Sequence, residues 1–413
     1  MRGRGTAAPG ERDQTDRGAI LAVAVGAITI DAALLGLIAP LLPQIEERTG
    51  ASDAELGIAL AAYAAPIALL SLPLGRAADR FGRKALLIAG LLTIAAGSVL
   101  IAVSHSLELL IGARAIQGVG SAASWISALA LVSDTAPPGR RGESLGAALA
   151  ATGIGSIAGP ALGGVAADVL SYEAPFLIAC GSAVAVVGAA AILLPRGVRR
   201  SRPAAPALGV VVRSIRAGNG GWAAAITLLS AGVLGLIEVI APLDLDQRLG
   251  LSASAIGLLF AGSIAVDAVT SPLGGRWGDR RGRLGPAVAG MVLTAVSAVS
   301  LAVLPDVWGA ALSLGVYGAG FALAFSAAVP WLDDAFEEKE RGLGYGVQNL
   351  LYAAGYAVGP VLGGWLLELT GAGLAYAITA GVVAAAALLL LVRRPQACPP
   401  VQRLRNRRYA GRL

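Results

Sequence analysis

The sequence predicts an all-α membrane protein with twelve transmembrane helices in two pseudo-symmetric six-helix bundles. Its composition, the length of its apolar stretches and an internal repeat each support this fold class. The 413-residue chain is 56% hydrophobic and only 14% charged, whereas soluble domains carry roughly 25% charged residues. Such a composition is typical of a multi-pass membrane protein.

Twelve apolar stretches are long enough to cross a bilayer. A membrane-spanning helix needs about 20 mostly apolar residues, because lipid cannot hydrogen bond to an exposed backbone. The predicted spans are residues 19–43, 54–74, 85–104, 107–133, 144–167, 174–195, 221–242, 254–274, 285–304, 306–331, 343–367 and 374–392.

One unit of about 200 residues occurs twice in the chain. The segment GRAADRFGRK, which begins at Gly75, returns as GRWGDRRGRL from Gly275. A glycine-rich segment from Gly146 to Gly164 recurs with the same spacing at residues 346–364. Separate motifs that share one offset predict two homologous halves.

A polar break after the sixth span divides these halves. The predicted organisation is an N-terminal tail (1–18), a first six-helix bundle (19–195), a central loop (196–220), a second six-helix bundle (221–392) and a basic tail (393–413).

The positive charges lie on one side of the predicted membrane. Of the 32 lysine and arginine residues, all except Arg48, Arg114 and Arg248 fall in the tails or in the loops of that side. Because basic loops stay in the cytoplasm, both termini are predicted to be cytoplasmic. The net charge of +6 is thereby explained by the lipid bilayer, and no nucleic-acid partner is expected. The preference for arginine over lysine favours a bacterial source, and hence the bacterial cytoplasmic membrane.

The repeated loop sequence has the residues of a gate. Asp79 can form ion pairs with Arg80 and Arg83 at the membrane–water boundary, where screening is incomplete. Gly75 and Gly82 allow a tight turn between antiparallel helices. Positive charge alone would also anchor this loop in the cytoplasm, so that simpler role stays open.

The glycine-rich segment falls on the fifth span. Gly155, Gly159 and Gly163 are four residues apart, so they lie on one helix face and let another backbone approach closely. Pro160 removes a helix hydrogen bond and favours a kink. Ordinary close packing is the alternative interpretation.

Two six-span halves, a central inner loop and the twin loop motif together resemble the major facilitator superfamily over residues 19–392. In that family the substrate binds near the bilayer midplane between the halves, which rock to expose it to each side in turn. The resemblance implies that the loop cluster, completed by Asp134, ties the halves together on the inner side. The predicted gating residues are Gly75, Asp79, Arg80, Gly82, Arg83, Asp134, Asp279 and Arg283.

The first copy of the glycine-rich segment is similar to the antiporter motif of that family. This resemblance implies proton-driven export rather than uptake. The residues that carry it are Gly146, Gly155, Gly159, Pro160, Gly163 and Gly164.

Four acidic or basic residues lie at least four residues inside the ends of predicted spans: Asp31, Arg114, Glu238 and Asp267. A buried arginine costs roughly 3 kcal/mol or more, so it needs a partner or a wet cavity, and a buried carboxylate can bind and release a proton. Arg114 lies in a segment that resembles the fourth-span signature of drug–proton antiporters. The surroundings of Asp31 and Glu238 resemble vesicular monoamine transporters and bacterial multidrug exporters, whereas Asp267 has no counterpart there. Helix packing for the carboxylates, and an outer-interface position for Arg114 or Glu238, are the alternatives.

The chain departs from the monoamine transporters in spans ten and eleven. Where they carry acidic residues, this chain has Phe325 or Ser326 and Asn349, so monoamine specificity is not supported. The predicted substrate wall comprises Gln117, Trp125, Tyr317, Phe321, Asn349 and Tyr352, with Tyr63, Phe325 and Tyr356 as further aromatic candidates.

No enzyme, cofactor or metal site is predicted. The sole histidine, His105, has no neighbouring set of metal ligands, and no phosphate-binding loop is present for ATP. An ion gradient is therefore the expected energy source. The sequence predicts a functional monomer that exports a small lipophilic or cationic compound by proton antiport. A proton-coupled uptake symporter and a transport-dead membrane sensor or scaffold are the alternatives.

Overall fold

The computed structural model describes residues 9–136, 141–194, 219–334, 336 and 341–393, together with residues 209, 212 and 216. Throughout this part of the chain the regular secondary structure is helical. The elements are α1 (Pro9–Leu37), a 3-10 turn (Ala39–Leu41), α2 (Leu42–Thr49), α3 (Asp53–Phe81), α4 (Arg83–Ala102), α5 (Leu107–Thr135), α6 (Arg141–Val169), α7 (Ala174–Leu193), α8 (Gly220–Leu249), α9 (Ala253–Arg281), α10 (Leu284–Val303), α11 (Val307–Asp333) and α12 (Arg341–Arg393).

The described helices contain the predicted number of membrane crossings. Eleven helical segments among these residues are long and apolar enough to span a membrane. The last of them, in α12, holds two spans, because Gly371 interrupts the helix with a φ of 74°. The all-α, twelve-helix prediction is therefore confirmed.

The structure corrects two details near the ends of the spans. The sequence predicts a first span over residues 19–43, and the candidate span in the structure extends from Gly18 to Thr49. It is not one continuous α-helix: α1 ends at Leu37 and a 3-10 turn containing Pro40 leads into α2, since proline disrupts a continuing helix. The loop motif is also more helical than predicted. Gly75 lies inside α3, and Gly82 alone makes the turn, with a φ of 91° that suits a residue without a Cβ.

The repeat is visible in the backbone. Helices α3 and α9 begin and end 200 residues apart. Gly50 and Gly250 end α2 and α8 with φ values of 66° and 62°, and Gly282 copies Gly82 with a φ of 90°. Equivalent residues therefore make equivalent turns.

The two halves meet where α3 packs against α12 and α6 against α9. A Cβ on Gly57 would overlap the carbonyl of Pro360, and a Cβ on Gly257 would overlap the carbonyl of Pro160. These contacts lie at the ends of the helices opposite the basic loops. We call the side with the basic loops the inner side and the opposite side the outer side; the halves are closed against each other on the outer side.

Candidate functional site

Arg114 is buried inside the first half. It lies on α5, seven residues after the helix begins at Leu107, and is only 1% exposed. Its Nη1 donates to Oε1 of Gln117 over 2.9 Å, and Gln117 Nε2 donates to Ser98 Oγ over 2.9 Å. Nε and Nη2 of Arg114 have no hydrogen-bond partner among the described residues. This placement does not fit an arginine that reaches the outer interface, and it leaves two donors available.

Tyr63 connects Arg114 to Asp31. The guanidinium lies 4.4 Å from the centroid of the Tyr63 ring, an arrangement worth about 0.5–2 kcal/mol. The hydroxyl of the same tyrosine donates to Oδ1 of Asp31 over 3.3 Å. Asp31 is 9% exposed and also accepts a hydrogen bond from Ser121. One side chain thus contacts both the buried cation and the buried carboxylate.

Glu238 brings the second half to this cluster. It lies on α8, is 5% exposed and accepts a hydrogen bond from the hydroxyl of Tyr356 on α12. The charges of Glu238 and Arg114 interact across the boundary between the halves. We call Asp31, Tyr63, Arg114, Glu238 and Tyr356 the charged cluster.

A continuous row of aromatic rings lies in the second half, and we call it the aromatic arc. Neighbouring ring centroids along it are 6.4, 5.4, 6.0 and 6.2 Å apart. Its last ring is that of Tyr356, so the arc ends at Glu238. Its members are Tyr317, Phe321 and Phe325 on α11 and Tyr352 and Tyr356 on α12.

Asp267 faces the same arc from α9. It is partly exposed, accepts a hydrogen bond from Ser271 Oγ over 2.9 Å, and interacts electrostatically with Tyr317 and Tyr352. The structure therefore brings all four sequence-predicted ionisable residues to one region between the halves.

The predicted substrate wall is brought together only in part. Tyr317, Phe321 and Tyr352 belong to the aromatic arc, and Trp125 and Asn349 are partly buried. Gln117 is fully buried and bonded within the first half, so it supports Arg114 instead of lining a cavity.

Three of the predicted gating residues take part in two equivalent ion pairs on the inner side, each of which joins helices of one half. Arg83 on α4 pairs with Asp134 on α5, and its Nη1 also donates to the carbonyl of Ala130 over 2.6 Å. Arg283 pairs with Asp334 in the same way. Sequence reasoning did not assign Asp334 to the gate, although its spacing of 200 from Asp134 is the signal that identifies it.

The other gating residues are placed differently. The side chain of Asp79 lies outside the described residues, while that of Asp279 is exposed. The guanidinium of Arg80 lies 5.3 Å from the ring centroid of Phe81.

The predicted antiporter motif packs against the helix that carries Asp31. A Cβ on Gly155 would overlap the carbonyl oxygen of Thr29, and one on Gly159 would overlap that of Ala33. Gly163 meets Leu37 further along the same face, Gly146 faces open space, and Gly164 contacts α9. Helix α6 continues through Pro160. Because of this close contact, a movement of α6 would also displace α1.

The chain is similar to known transporter sequences. The family model described as Major Facilitator Superfamily matches residues 24–223 and 223–410. Multidrug resistance protein 1 of Bacillus subtilis is 27% identical over 338 residues, which cover 81% of this chain and 86% of that protein. Tetracycline resistance protein, class C, of Escherichia coli is 29% identical over 313 residues, covering 70% and 74%. A match to the MFS-type transporter ppzB of Metarhizium rileyi is 36% identical over 148 residues, 35% of this chain and 30% of that protein.

Solved structures with a similar fold are also transporters. A bacterial homologue of the human lysosomal transporter Spinster, in an inward-facing and unoccupied conformation, has a TM-score of 0.73 at 17% identity, covering 91% of this chain and 95% of that one. The nucleoside transporter NupG has a TM-score of 0.75 at 13% identity, covering 91% and 98%. At these identities the likeness concerns the fold alone.

Proposed function

We propose that this chain, which belongs to the Major Facilitator Superfamily and is therefore a multi-pass membrane transporter and not an enzyme, exports a small lipophilic or cationic compound in exchange for protons. The charged cluster carries this proposal. It places Asp31 and Arg114 of one half beside Glu238 of the other, all nearly excluded from solvent. Charges held there at a cost are suited to coupling proton binding to movement of the halves.

Asp31 is the proposed site of proton exchange. In its charged form it can attract a cationic substrate that enters from the inner side. In its protonated form that attraction is lost, so proton binding favours release of the substrate on the outer side. Tyr63 and Ser121 hold the carboxylate in place by hydrogen bonds. Arg114, with two unpaired donors, can stabilise whichever carboxylate carries the charge.

Glu238 and Asp267 are proposed to serve the second half. Tyr356 donates to Glu238. Protonation of this carboxylate would therefore change the hydrogen bonding of the last residue of the aromatic arc. Because the arc is apolar with hydroxyls at Tyr317, Tyr352 and Tyr356, it suits a flat, lipophilic compound.

The inner ion pairs and the glycine-rich face of α6 complete the proposed cycle. The pairs Arg83–Asp134 and Arg283–Asp334 fix neighbouring helices on the inner side. Gly155 and Gly159 let the backbone of α6 lie in close contact with that of α1. We place the protein in a bacterial cytoplasmic membrane as a functional monomer, with both termini in the cytoplasm.

The direction of transport is the decisive test. Purified protein in liposomes would be given an imposed pH gradient of either sign, with ethidium and tetracycline as probes. Export predicts that each probe moves against the proton flow and that the movement stops when the gradient is collapsed. Movement of a probe together with protons would instead indicate a symporter. Absence of flux with both gradients, in protein shown to be folded, would contradict the proposal.

A further inference from the structure

Helices α3 and α9 each begin at the boundary between the halves. The first amides of a helix have no partner inside the helix. Ser52 and Ser252 cap the third position of each helix, where Glu55 N and Ala255 N donate to the serine hydroxyls over 3.4 Å. The amides at the second position, those of Ala54 and Ser254, remain to be satisfied.

A carboxylate from the opposite half binds each of these two amides. Ser254 N of the second half donates to Asp168 Oδ2 of the first half over 2.7 Å. Ala54 N of the first half donates to Glu368 Oε2 of the second half over 3.1 Å. Both donors and both acceptors are 200 residues apart in the sequence, so the repeat has produced the same contact twice.

Glycines bring the backbones close enough for this contact. Gly164 and Gly364 lie one helical turn before Asp168 and Glu368. A Cβ on Gly164 would overlap the carbonyl of Ala253, and a Cβ on Gly364 would overlap the carbonyl of Asp53. The carboxylates can therefore reach the amides only when the outer ends of the two halves touch.

We propose that Asp168 and Glu368 are positioning residues that hold the outer side closed, each by binding the helix N-terminus of the opposite half. A negative charge is stabilised at a helix N-terminus by the free amides and the helix dipole. This outer latch goes beyond the proposed function, because neither carboxylate takes part in the charged cluster and the latch would act whatever the substrate is.

The two contacts differ in strength. Asp168 also accepts from Gln44 Nε2 over 3.4 Å, and Ser254 Oγ donates to the carbonyl of Gly164 over 3.4 Å. Glu368 instead faces the negative charge of Asp53, where the other copy has an alanine. The Asp168 contact is therefore the stronger of the two.

Like charges oppose closure elsewhere on the outer side. Asp246 of the second half faces Glu46 and Glu47 of the first half. Their repulsion favours separation of the outer ends, so the latch must outweigh it. A balance of this kind lets the gate reopen during each cycle.

The test measures opening of the outer side directly. Ala39, 1% exposed, lies in the 3-10 turn that packs against α8 and α9 of the other half. With Cys180 and Cys398 changed to serine, Ala39→Cys is a reporter that a membrane-impermeant maleimide reaches from outside only when the halves part. Asp168→Asn should raise its labelling rate about three- to tenfold. Glu368→Gln should raise it less, and the double variant most.

Glu173→Gln is the matched control. Glu173 is also an outer carboxylate, but it pairs over 2.9 Å with Arg48 of its own half. Hydrogen bonds from the backbone, from Ser171 and from Arg48 hold its pKa below the ordinary value, so it is charged under the same conditions. Removing its charge should leave the reporter unchanged. Equal labelling in Asp168→Asn, Glu173→Gln and the unaltered protein would overturn the proposal.

A second pair of variants removes the contact by deleting its hydrogen-bond donor instead of its acceptor. Ser254→Pro and Ala54→Pro delete the donor amide, and proline is tolerated in the first turn of a helix. Ser254→Pro should reproduce the effect of Asp168→Asn, whereas Asp168→Glu, which keeps the charge, should label close to the unaltered rate. If Asp168→Asn reaches the membrane poorly, these variants decide: unchanged labelling in Ser254→Pro would contradict the latch. Because no substrate is used, failure here is distinct from failure of the export proposal.

Discussion

The two halves share a framework and differ in chemistry. Helix bounds, turn glycines, inner ion pairs and outer carboxylates recur at a spacing of 200 residues. The site does not. Position 314, equivalent to Arg114, is a leucine, and Ala231 and Ile38 occupy the equivalents of Asp31 and Glu238. The framework is therefore the same in both halves, whereas the residues of the candidate site differ between them.

The divergence follows a simple division. The first half contributes the cation, one carboxylate and hydroxyls, whereas the second contributes two carboxylates and the aromatic arc. Ser121, which binds Asp31, is equivalent to Phe321 in the arc, and Gln117, which binds Arg114, is equivalent to Tyr317. We infer that residues of the first half chiefly couple transport to protons and that the aromatic arc of the second half recognises the shape of the substrate.

The largest expected effect comes from the cation. Arg114→Ala should abolish proton-driven efflux, with a loss of at least about tenfold, because a buried charge is removed from the centre of the cluster. Arg114→Lys keeps a charge but loses the planar set of donors, so it should retain partial activity with a displaced pH optimum. Efflux measured against pH, normalised to the amount of protein in the membrane, tests this. Two profiles that match the unaltered protein would remove Arg114 from the coupling mechanism.

Equivalent positions offer a double test of the division. Phe321→Ser copies the residue of the first half into the arc and should raise KM for flat compounds about three- to tenfold, a change typical of losing one aromatic contact. Its pH profile should not change. Ser121→Ala removes a hydrogen bond to Asp31 and should displace the pH profile while leaving the order of substrate preference intact. If both variants changed KM and the pH profile in the same way, proton coupling and substrate recognition would not be divided between the halves.

Tyr356 lies where the charged cluster and the arc join. Tyr356→Phe keeps the ring but removes the hydroxyl that donates to Glu238, and a loss of about two- to fivefold in efflux is expected from one hydrogen bond in a membrane protein. Tyr352→Phe is the matched variant, because the Tyr352 ring stacks on that of Tyr356 with an interplanar angle of 7°. It should reduce efflux less than Tyr356→Phe does. A larger loss for Tyr352→Phe would place the important hydroxyl elsewhere.

The inner ion pairs give the smallest expected effects and rank the two copies. Side chains of the Arg83–Asp134 pair are 9% and 15% exposed, against 18% and 29% for Arg283–Asp334. A less exposed pair is screened less by solvent and salt, so loss of the Arg83–Asp134 pair should have the larger effect. Asp134→Asn should therefore increase the labelling of a cysteine introduced on the inner side more than Asp334→Asn does, with changes of about twofold. The reverse order would show that exposure does not set the strength of these pairs.

Much of the fold could be predicted from the sequence, because lipid permits few structures for an apolar chain. The loop motif also predicts the turn at Gly82, whereas Gly75 lies inside α3. The sequence did not show which residue contacts each buried charge. Nothing in the surroundings of Glu238 indicates Tyr356, since the two lie 118 residues apart and meet only through helix packing. The sequence predicts Gln117 in the substrate wall, because spacing alone does not show which face of α5 it occupies. Nothing in the sequence distinguishes Asp168 and Glu368 from ordinary polar residues at the end of a span.

The most direct test of the account concerns Asp31, because the proposed division depends on a coupling carboxylate in the first half. Asp31→Asn matches the shape of the side chain but cannot change charge. In liposomes that contain a pH-sensitive dye, substrate added to the unaltered protein should drive protons across the membrane. Asp31→Asn should move no protons; it should still exchange substrate down its gradient, with a lower affinity for a cationic substrate because the attracting charge is gone. Glu108→Gln, an exposed carboxylate on α5, is the control. Proton movement in Asp31→Asn equal to that of the unaltered protein would contradict the account.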